Sequence, residues 1–501
     1  MIVNVLALAG ALAVAAGLRA AFARHAAPSQ VDQYYWMLAA RYWRKARGLS
    51  VRIPGKYLLE DETQAYPPAF GYFLGRLPES ALRRWPVALS LIADAATLGV
   101  LAALLAFFGA GLTGVAAALA VVAVAPALVT YNAQINPRAF GQLFLSALVV
   151  LVVIGSSGAT PGWATAALWI GGVACAAMVV ITHKMSAQLM LVLWPLLALA
   201  TWSSAAATVP ALGIAAAALL TGPRNAAYQW RAHWDIVRFW NRHHPRLGAH
   251  PFAHSPLYGD PARLRESAYH KGLGGVPRHV AAVLGYAPLS AVLPVLLLLG
   301  PAPPTWLLTW FFATYAFAFL TLFAAPLKCL GAGHLYVYNA VAPGAVWWGF
   351  ALVDGGGGEW ALFGFGLLLS ALSVGIAWRR ISRRPNALDA DFSSLVENLQ
   401  QQPPGRVAAF PLTATEAIAY RTDHAVLWGG HGYGFRRLEG LFPVVTRPLA
   451  ELLQENRIDW LAWNTRYWPG GAEVVRGENI GREDATAYGD WRLIRVQRED
   501  V

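Results

Sequence analysis

Long apolar runs alternate with three polar segments along this chain. A helix needs about 20 apolar residues to cross a bilayer, so the runs predict a polytopic all-α membrane domain of about eleven transmembrane helices within residues 1–378. The first run lacks the basic segment that precedes the apolar core of a cleaved signal peptide, so we expect it to remain as the first helix. The predicted spans are 2–21, 86–108, 111–130, 139–156, 162–182, 186–202, 205–222, 279–300, 304–325, 332–353 and 359–378.

The polar segments are a first loop at 24–85, a second loop at 223–278 and a tail at 386–501. The tail alternates β-branched and aromatic runs, typical of strands, with helical stretches. It is therefore predicted to form a small soluble α/β domain. The strand-like runs begin at Arg406, Ala425 and Trp460, and the helical stretches cover 393–401 and 448–456.

Composition supports the membrane assignment. Of the residues, 57% are hydrophobic and 13% are charged, whereas soluble domains carry about 25% charged residues. The net charge of +12 favours anionic lipid or a phosphorylated ligand over nucleic acid, because the basic residues lie in loops between apolar spans. The two cysteines, Cys175 and Cys329, exclude a disulfide framework.

The charges also predict two unlike faces. With an odd span count after the first loop, all three polar segments share one face with the short loops that hold Arg138, Lys184 and Lys328. Essentially no Lys or Arg occurs in the connections on the other face. Those connections lie near Gly109, Ser156, Ser203, Pro301 and Gly355.

The first loop opens with an amphipathic pattern at helical spacing. Its apolar stripe and its cationic residues predict a helix that lies on the membrane surface. The paired prolines at 67 and 68 then predict the start of another helix. The stripe is Tyr35, Leu38, Ala39 and Tyr42, and the cations are Arg41, Arg44, Lys45 and Arg47.

Asp32, near the start of this helix, has two interpretations. It is a candidate general base that deprotonates an acceptor hydroxyl or amine, with arginines holding a departing phosphate. It is equally a candidate N-cap, with the arginines extending towards lipid headgroups. Tyr35 and Arg41 on the same helix are candidate contacts to the substrate or to the lipid phosphate. Spacing alone leaves both interpretations open.

A second acidic group follows in the same loop. Glu60, Asp61 and Glu62 offer oxygen ligands for a divalent cation such as Mg²⁺ or Mn²⁺. A solvated acidic turn gives the same pattern, so the metal content stays open.

Cations at the ends of predicted spans form another candidate set. Arg138, His183 and Lys184 can bind a lipid-linked phosphate at headgroup depth, or they can simply anchor helices at the interface. Asp94, inside a span, is a functional candidate unless it pairs with a neighbouring helix. The histidines of the second loop, including the adjacent His243 and His244, lack metal-motif spacing and are interpreted as surface or cleft residues.

Several of these segments resemble one known superfamily. A first span precedes a long loop with an early Asp, the string DQYYWMLAAR at 32–41, RIP at 52–54 and YPPAFGYFL at 66–74. NPRAFGQ at 136–142 and THKMSAQ at 182–188 follow. The pattern is similar to that of the GT-C membrane glycosyltransferases, which include oligosaccharyltransferases, protein mannosyltransferases and aminoarabinose transferases. The resemblance is firm over about 30–75, looser to about 190 and architectural beyond, and none of its motifs is as specific as a zinc-finger spacing.

The resemblance implies transfer of a sugar from a polyprenyl-phosphate or polyprenyl-diphosphate donor, with Asp32 as the catalytic residue. Metal-dependent members carry a second acidic motif in a later loop, but residues 131–138 hold Asn132 and Asn136 and no acid. The string WGGHGYG at 428–434 lacks the Asp of the oligosaccharyltransferase motif. Neither metal dependence nor recognition of a glycosylation sequon is therefore implied.

The superfamily works on the non-cytoplasmic face, whereas the positive-inside rule would place this Lys/Arg-rich face in the cytoplasm. We follow the resemblance, because a phosphate-binding face needs cations in either orientation. Two alternatives remain open. One is a non-catalytic assembly partner built on the same scaffold, and the other is a membrane transporter of a lipid-linked or anionic substrate.

Overall fold

The computed structural model describes residues 2–26, 31–243, 272–300, 302–331, 333–353, 355–383, 388–411, 414–429, 434–442, 445–481 and 485–497. Helices predominate in these ranges. They are α1 (Ile2–Ala26), α2 (Val31–Lys45), α3 (Pro68–Gly75), α4 (Glu79–Arg84), α5 (Ala88–Phe107), α6 (Gly111–Val124), α7 (Pro126–Tyr131), α8 (Arg138–Gly155), α9 (Gly162–Thr182), α10 (Lys184–Thr201), α11 (Ser204–Thr221), α12 (Pro223–His243), α13 (Gly272–Tyr286), α14 (Pro288–Ala291), α15 (Thr305–Phe323), α16 (Val341–Ala351), α17 (Gly357–Arg383), α18 (Ala390–Gln401), α19 (Thr415–Arg421), α20 (Leu449–Glu455) and α21 (Gly471–Gly477).

The chain forms two compact units. The helical unit comprises 1–26, 83–226 and 276–384, and the mixed unit comprises 27–82, 227–275 and 385–501. The sequence analysis assigned both long loops to the membrane domain at 1–378 and only residues 386–501 to the soluble domain. In the structure, most of each loop groups with the tail.

Seven helices in the described ranges are long and apolar enough to cross a membrane, or eight if one bent pair forms a single span. The predicted number of eleven is not confirmed. The seven are α5, α8, α9, α10, α11, α15 and α17, and the bent pair is Gly275–Tyr286 with Pro288–Leu298.

Prolines explain two of the differences between the predicted spans and the observed helices. The predicted span 111–130 divides at Pro126 into α6 and α7, and the predicted span 279–300 bends by 110° next to Pro288. Proline lacks a backbone N–H and clashes with the preceding turn, so a helix seldom continues straight through it. The predicted span 332–353 begins in 3₁₀ turns, and only its last part, α16, is α-helical.

The helical unit has two chemically different ends. At one end two of the connections without Lys or Arg meet, through the 2.9 Å hydrogen bond between the Ser156 and Ser203 hydroxyls. At the opposite end Gly141 of α8 packs against His183, between α9 and α10. Arg138 and Lys184 begin α8 and α10 at this second end, which we call the cationic end.

The mixed unit contains a five-stranded sheet of order β2-β1-β3-β5-β4. β1 is parallel to β2 and β3, and β5 is antiparallel to β3 and β4. The runs predicted as strands at Arg406, Ala425 and Trp460 correspond to β1, β2 and β3. The strands are β1 (Arg406–Phe410), β2 (Ala425–Val426), β3 (Trp460–Asn464), β4 (Thr486–Tyr488) and β5 (Trp491–Arg495).

The first loop extends this sheet at β2. The backbone N–H groups of Leu58 and Leu59 donate to the carbonyls of Val426 and Leu427 at 2.9 and 3.0 Å. Tyr57 bridges Val426 in parallel. The loop thereby satisfies an edge that would otherwise present unpaired backbone groups.

The apolar face of α2 is covered by protein, which corrects the prediction of a helix lying on the membrane surface. Trp36 makes edge-to-face contacts with Tyr66 and Phe70, and Trp43 is buried against Gly71. A Cβ at position 71 would lie 2.4 Å from the Trp43 ring. The start of α3 at Pro68 is as predicted, and this helix supplies partners that the α2 pattern alone does not reveal.

Candidate functional site

A stack of four side chains marks the cationic end of the helical unit. The Arg138 guanidinium lies 4.7 Å from the centre of the Tyr131 ring. Tyr131 stacks on Tyr286 at 5.6 Å, and Tyr286 stacks on His334 at 5.3 Å. All four side chains are half-buried. The stack thus places the Arg138 guanidinium and the His334 imidazole, which come from separate segments of the chain, at the same end of the unit.

The corner before α8 is fixed by Asn136. Its side-chain oxygen accepts a hydrogen bond from the Arg138 backbone N–H at 2.9 Å, and its amide donates to the Tyr131 carbonyl. Both bonds hold Arg138 at the first turn of the helix. Asn136 therefore has a structural role at this corner.

His183 lies at the break between α9 and α10. Its Nδ1 atom accepts from the Ser186 backbone N–H at 3.4 Å and lies 2.9 Å from the Ser186 hydroxyl. The residue is buried and caps α10. Lys184 follows it directly and is half-buried. We therefore assign His183 to shaping this corner and keep Lys184 as the candidate cation for the phosphate.

A further segment brings two more basic residues to this end. The Tyr336 hydroxyl donates to Gln188 of α10 at 2.6 Å, and a Cβ at Gly331 would lie 3.5 Å from Met185. These contacts hold residues 325–331 and 333–336, with Lys328 and His334, beside the start of α10. The sequence analysis noted Lys328 and missed His334, because it placed this residue inside the predicted span 332–353 and a lone histidine carries no recognisable spacing.

An open apolar groove lies between α8, α10 and α11. Its empty volume is about 300 Å³, which includes the space on its open side. Its lining begins seven residues after Arg138 on α8 and six residues after Lys184 on α10, which is about 10 Å along each helix at 1.5 Å per residue. Among the lining residues are Leu145, Leu148, Met190, Leu193, Trp194 and Pro210.

Asp94 is part of a buried polar network in the same unit. It accepts from Arg19 Nε at 2.8 Å and from the Asn132 amide at 2.8 Å. The Tyr338 hydroxyl donates to Asn132 at 2.7 Å. The intramembrane acid is therefore paired with a neighbouring helix, which was the structural alternative. Arg19 was missed, because it lies inside an apolar run.

Asp32 lies in the first turn of α2 in the mixed unit and is half-buried. Tyr35 on the same helix is fully buried, and its hydroxyl donates to Gln64 at 2.8 Å. The Arg41 guanidinium binds the Glu79 carboxylate at 2.9 and 3.1 Å and donates to the Tyr420 carbonyl. Because Tyr35 and Arg41 have partners inside the unit, we assign neither residue to binding of the substrate or of the lipid phosphate.

The acidic group at 60–62 is divided among separate partners. Asp61 pairs with Arg437, and Glu62 pairs with Arg52. Glu60 is buried, and its Oε1 accepts from the Gly429 backbone N–H at 2.7 Å.

Burial raises the pKa of the Glu60 carboxyl well above its ordinary value, and the nearby Glu416 carboxylate raises it further. The described residues contain no group of three or more His, Cys, Asp or Glu side chains arranged to hold a metal ion. The three carboxylates therefore do not fit a divalent-cation site, and no step below is assigned to one.

The structure thus brings Arg138, His183 and Lys184 together at one end of the helical unit. Asp32, Tyr35, Arg41 and the acidic group belong to the mixed unit. Of the second-loop histidines, His233 and His243 lie on α12, whereas His244, His250 and His254 are outside the described residues, as are positions 430–433 of the string at 428–434.

Neither a protein-family model nor a curated protein sequence matches the chain. Solved structures do match. ArnT from Cupriavidus metallidurans bound to undecaprenyl phosphate aligns with a TM-score of 0.60 at 12% identity, over 98% of this chain and 97% of that one. The archaeal oligosaccharyltransferase AglB from Archaeoglobus fulgidus, in complex with an inhibitory peptide and a dolichol-phosphate, aligns with a TM-score of 0.56 at 10% identity, over 94% and 70%.

The Archaeoglobus oligosaccharyltransferase in complex with Zn and sulfate aligns with a TM-score of 0.54 at 12% identity, over 95% of this chain and 69% of that one. At these identities the likeness is one of fold. It extends over nearly the whole chain, including the tail. The chain therefore has the fold of the GT-C superfamily of membrane glycosyltransferases, as the sequence resemblance predicted.

Proposed function

We propose that the protein transfers a sugar from a polyprenyl-phosphate-type lipid to an acceptor at the membrane surface. One observation carries the proposal: the helical unit combines a cationic end with an apolar groove that starts about 10 Å further along the same helices. A lipid-linked sugar has the matching order of groups, with an anionic phosphate attached to a long apolar chain.

Arg138 and Lys184 hold the phosphate in this proposal. Both are half-buried, so their charge is screened less by water than that of a fully exposed side chain. Arginine presents several N–H donors in a fixed plane and suits a phosphate that departs with negative charge. His183 and Asn136 fix the helix starts that carry these cations.

Asp32 acts as the general base. Its carboxylate takes the proton from an acceptor hydroxyl or amine as that atom forms a bond to the anomeric carbon of the sugar. The bond from the anomeric carbon to the phosphate oxygen breaks at the same time. The phosphate leaves with the electron pair, stabilised by the cations. The anomeric configuration is inverted in a single step of this kind.

The comparisons support the donor class. The solved structure with a TM-score of 0.60 holds undecaprenyl phosphate, and the one with a TM-score of 0.56 holds a dolichol-phosphate. Carrying this class over to the present chain is part of the proposal. So is the placement of the long loops and the tail on the non-cytoplasmic face, which a reporter fused at Val501 tests.

The function is tested with the purified full-length chain in lipid nanodiscs. A panel of polyprenyl-phosphate and polyprenyl-diphosphate sugars is supplied with candidate acceptors, and the release of the polyprenyl carrier is measured. We expect sugar transfer that depends on Asp32. Donor binding without turnover would instead indicate a non-catalytic scaffold, and uptake into proteoliposomes without transfer would indicate a transporter.

A further inference from the structure

α12 presents one strongly apolar and cationic face to solvent. Trp230 and Trp234, one helical turn apart, are 51% and 54% exposed. Arg231 and Arg238 are exposed beside them, and the Arg238 guanidinium lies 5.4 Å from the centre of the Trp234 ring. Two tryptophans at this exposure on adjacent turns form a continuous apolar ridge with a cationic rim.

The opposite face of α12 is already used by the protein. Ala232, Ile236 and Phe239 are buried, and Phe239 stacks on Phe442 at 6.1 Å. The Tyr228 hydroxyl donates to the Thr63 carbonyl at 2.9 Å. Burial of this face fixes the rotation of the helix about its axis, so the tryptophan ridge must point outwards.

The chain reaches α12 directly from a predicted membrane span. α11 ends at Thr221, and a single residue, Gly222, separates it from Pro223. Gly222 has φ +82°, a conformation that glycine adopts without the strain that a Cβ would cause, so α11 ends there. Leu219 and Leu220 are 75% and 61% exposed on the last turn of α11, as expected for lipid-facing positions.

We propose that α12 lies along the lipid–water boundary, where Trp230 and Trp234 insert among the lipids and Arg231 and Arg238 contact phosphate headgroups. Tryptophan is enriched at this boundary, because its ring is apolar and its N–H stays hydrated. Helices with tryptophan on one side and arginine beside it bind such interfaces, most strongly where the lipids are anionic.

Bilayer lipid is favoured over other occupants by two features. A single residue, Gly222, links α11 to α12. The charged side chains at the exposed positions of α12 are all arginines, of which Arg242 pairs with Glu439, while the half-buried Asp235 lies between Arg231 and Arg238 on the helix. The exposed positions of α12 are Pro223, Arg224, Ala227, Trp230, Arg231, Trp234, Arg238, Asn241 and Arg242. This proposal does not depend on sugar transfer.

The test uses a single cysteine labelled with a solvent-sensitive fluorophore in full-length protein, after Cys175→Ala and Cys329→Ala. Ala227→Cys places the label on the ridge and keeps both tryptophans, and Trp234→Cys places it about two turns further on. The label is challenged with phospholipids brominated near the glycerol end of their acyl chains, and separately with aqueous iodide. Leu219→Cys on α11 is the lipid-facing control, and Ala472→Cys on the exposed side of α21 is the water-facing control.

We expect bromolipids to quench Ala227→Cys and Trp234→Cys as strongly as Leu219→Cys, while iodide quenches them less than Ala472→Cys. Adding phosphatidylglycerol to phosphatidylcholine nanodiscs should increase the quenching by bromolipid at Ala227→Cys. Arg231→Glu with Arg238→Glu should remove that increase.

Iodide quenching equal to that of Ala472→Cys would overturn the proposal, because the ridge would then face water. Protection from both quenchers would also overturn it, since a protein partner or a second copy would then cover the ridge. A label at Ala227→Cys that reports lipid contact to the same extent after Trp230→Ala and Trp234→Ala would show that the tryptophans do not anchor the helix.

Discussion

Arg19 and Asp94 form an ion pair across 75 residues of sequence, with the guanidinium Nε atom 2.8 Å from a carboxylate oxygen. The Arg19 side chain has no exposed surface, and three further N–H groups of its guanidinium donate to the carbonyls of Ala15, Val122 and Ala123. The pair thus joins α1 to α5 and to the end of α6 inside the helical unit. A buried pair with such complete bonding costs most when only one partner is removed.

Asp94→Ala should therefore destabilise the protein by about 3–5 kcal/mol, because it leaves the Arg19 charge buried without its partner. Arg19→Met combined with Asp94→Leu should recover most of that loss and should keep sugar transfer. Thermal unfolding in detergent measures the stability, and Arg24→Met at the exposed end of α1 is the control. Loss of transfer in a stable double variant would instead give Asp94 a direct part in the chemistry.

Asp32→Asn should leave the protein folded and inserted but lower the rate of transfer by at least about 100-fold, the usual scale for loss of a general base. The amide keeps the size and the capping ability of the carboxylate and removes its basicity. Initial rates at saturating donor measure the effect. Glu62→Gln, a similar change at an exposed ion pair in the same loop, should change the rate little. A near wild-type rate for Asp32→Asn would refute the base assignment.

Arg138→Ala and Lys184→Ala should mainly weaken donor binding. Their charges meet the phosphate in the ground state as well as during departure, so the KM for donor should rise more than kcat falls. Each variant is compared with Arg380→Ala, which removes an exposed cation of α17. An equal effect of all three variants would indicate general attraction to anionic lipid and would contradict a defined phosphate site.

Substitutions that fill the groove should raise the KM for donors with long prenyl chains more than for donors with short ones. Leu148→Trp or Leu193→Trp adds bulk to its lining, which should raise the KM for long polyprenyl donors and leave short-chain analogues little affected. Leu191→Trp on α10 is the control, because residue 191 is exposed on the outer surface of the same helix. A similar KM change for long and short donors would remove the groove from the donor site.

Glu60 should make stability depend on pH. Its pKa is raised, mainly by burial and then by Glu416, so the folded state keeps a proton that the unfolded chain has already released. Stability should then fall as the pH rises from the ordinary Glu value towards the raised pKa. Glu60→Gln cannot lose this proton, so its stability relative to wild type should increase over the same window.

Denaturant unfolding at several pH values measures that difference. Burial also lowers the pKa of Lys56 to about 8, which acts in the opposite direction, but this lysine is present in both proteins and cancels in the comparison. A difference between the two proteins that stays constant with pH would mean that Glu60 is ionised in the folded state.

Apolar periodicity predicted a helical membrane domain followed by a small α/β domain, and local strings predicted the GT-C-like fold that the solved structures share. Local patterns could not reveal long-range partners. The carboxyl of Glu60 meets a backbone N–H 369 residues away, and Asp94 of α5 pairs with Arg19 of α1. Amphipathicity had a similar limit: α2 and α12 both have an apolar side, but α2 buries it under Tyr66 and Phe70, whereas α12 exposes its tryptophans. A hydrophobic stripe indicates that something covers it, without saying what.

The addition of Tyr57–Leu59 to the sheet edge at β2 has a consequence for how the chain is made. The first loop leaves the ribosome long before β2, so it waits for its partner while the helices between them are synthesised. At about 5–20 residues per second, that delay is roughly 20–70 seconds. Throughout this interval the backbone groups of Leu58 and Leu59 need water or a chaperone in place of Val426 and Leu427. Final assembly of the mixed unit is therefore a late event in biogenesis, and the tail produced alone would carry an open sheet edge prone to self-association.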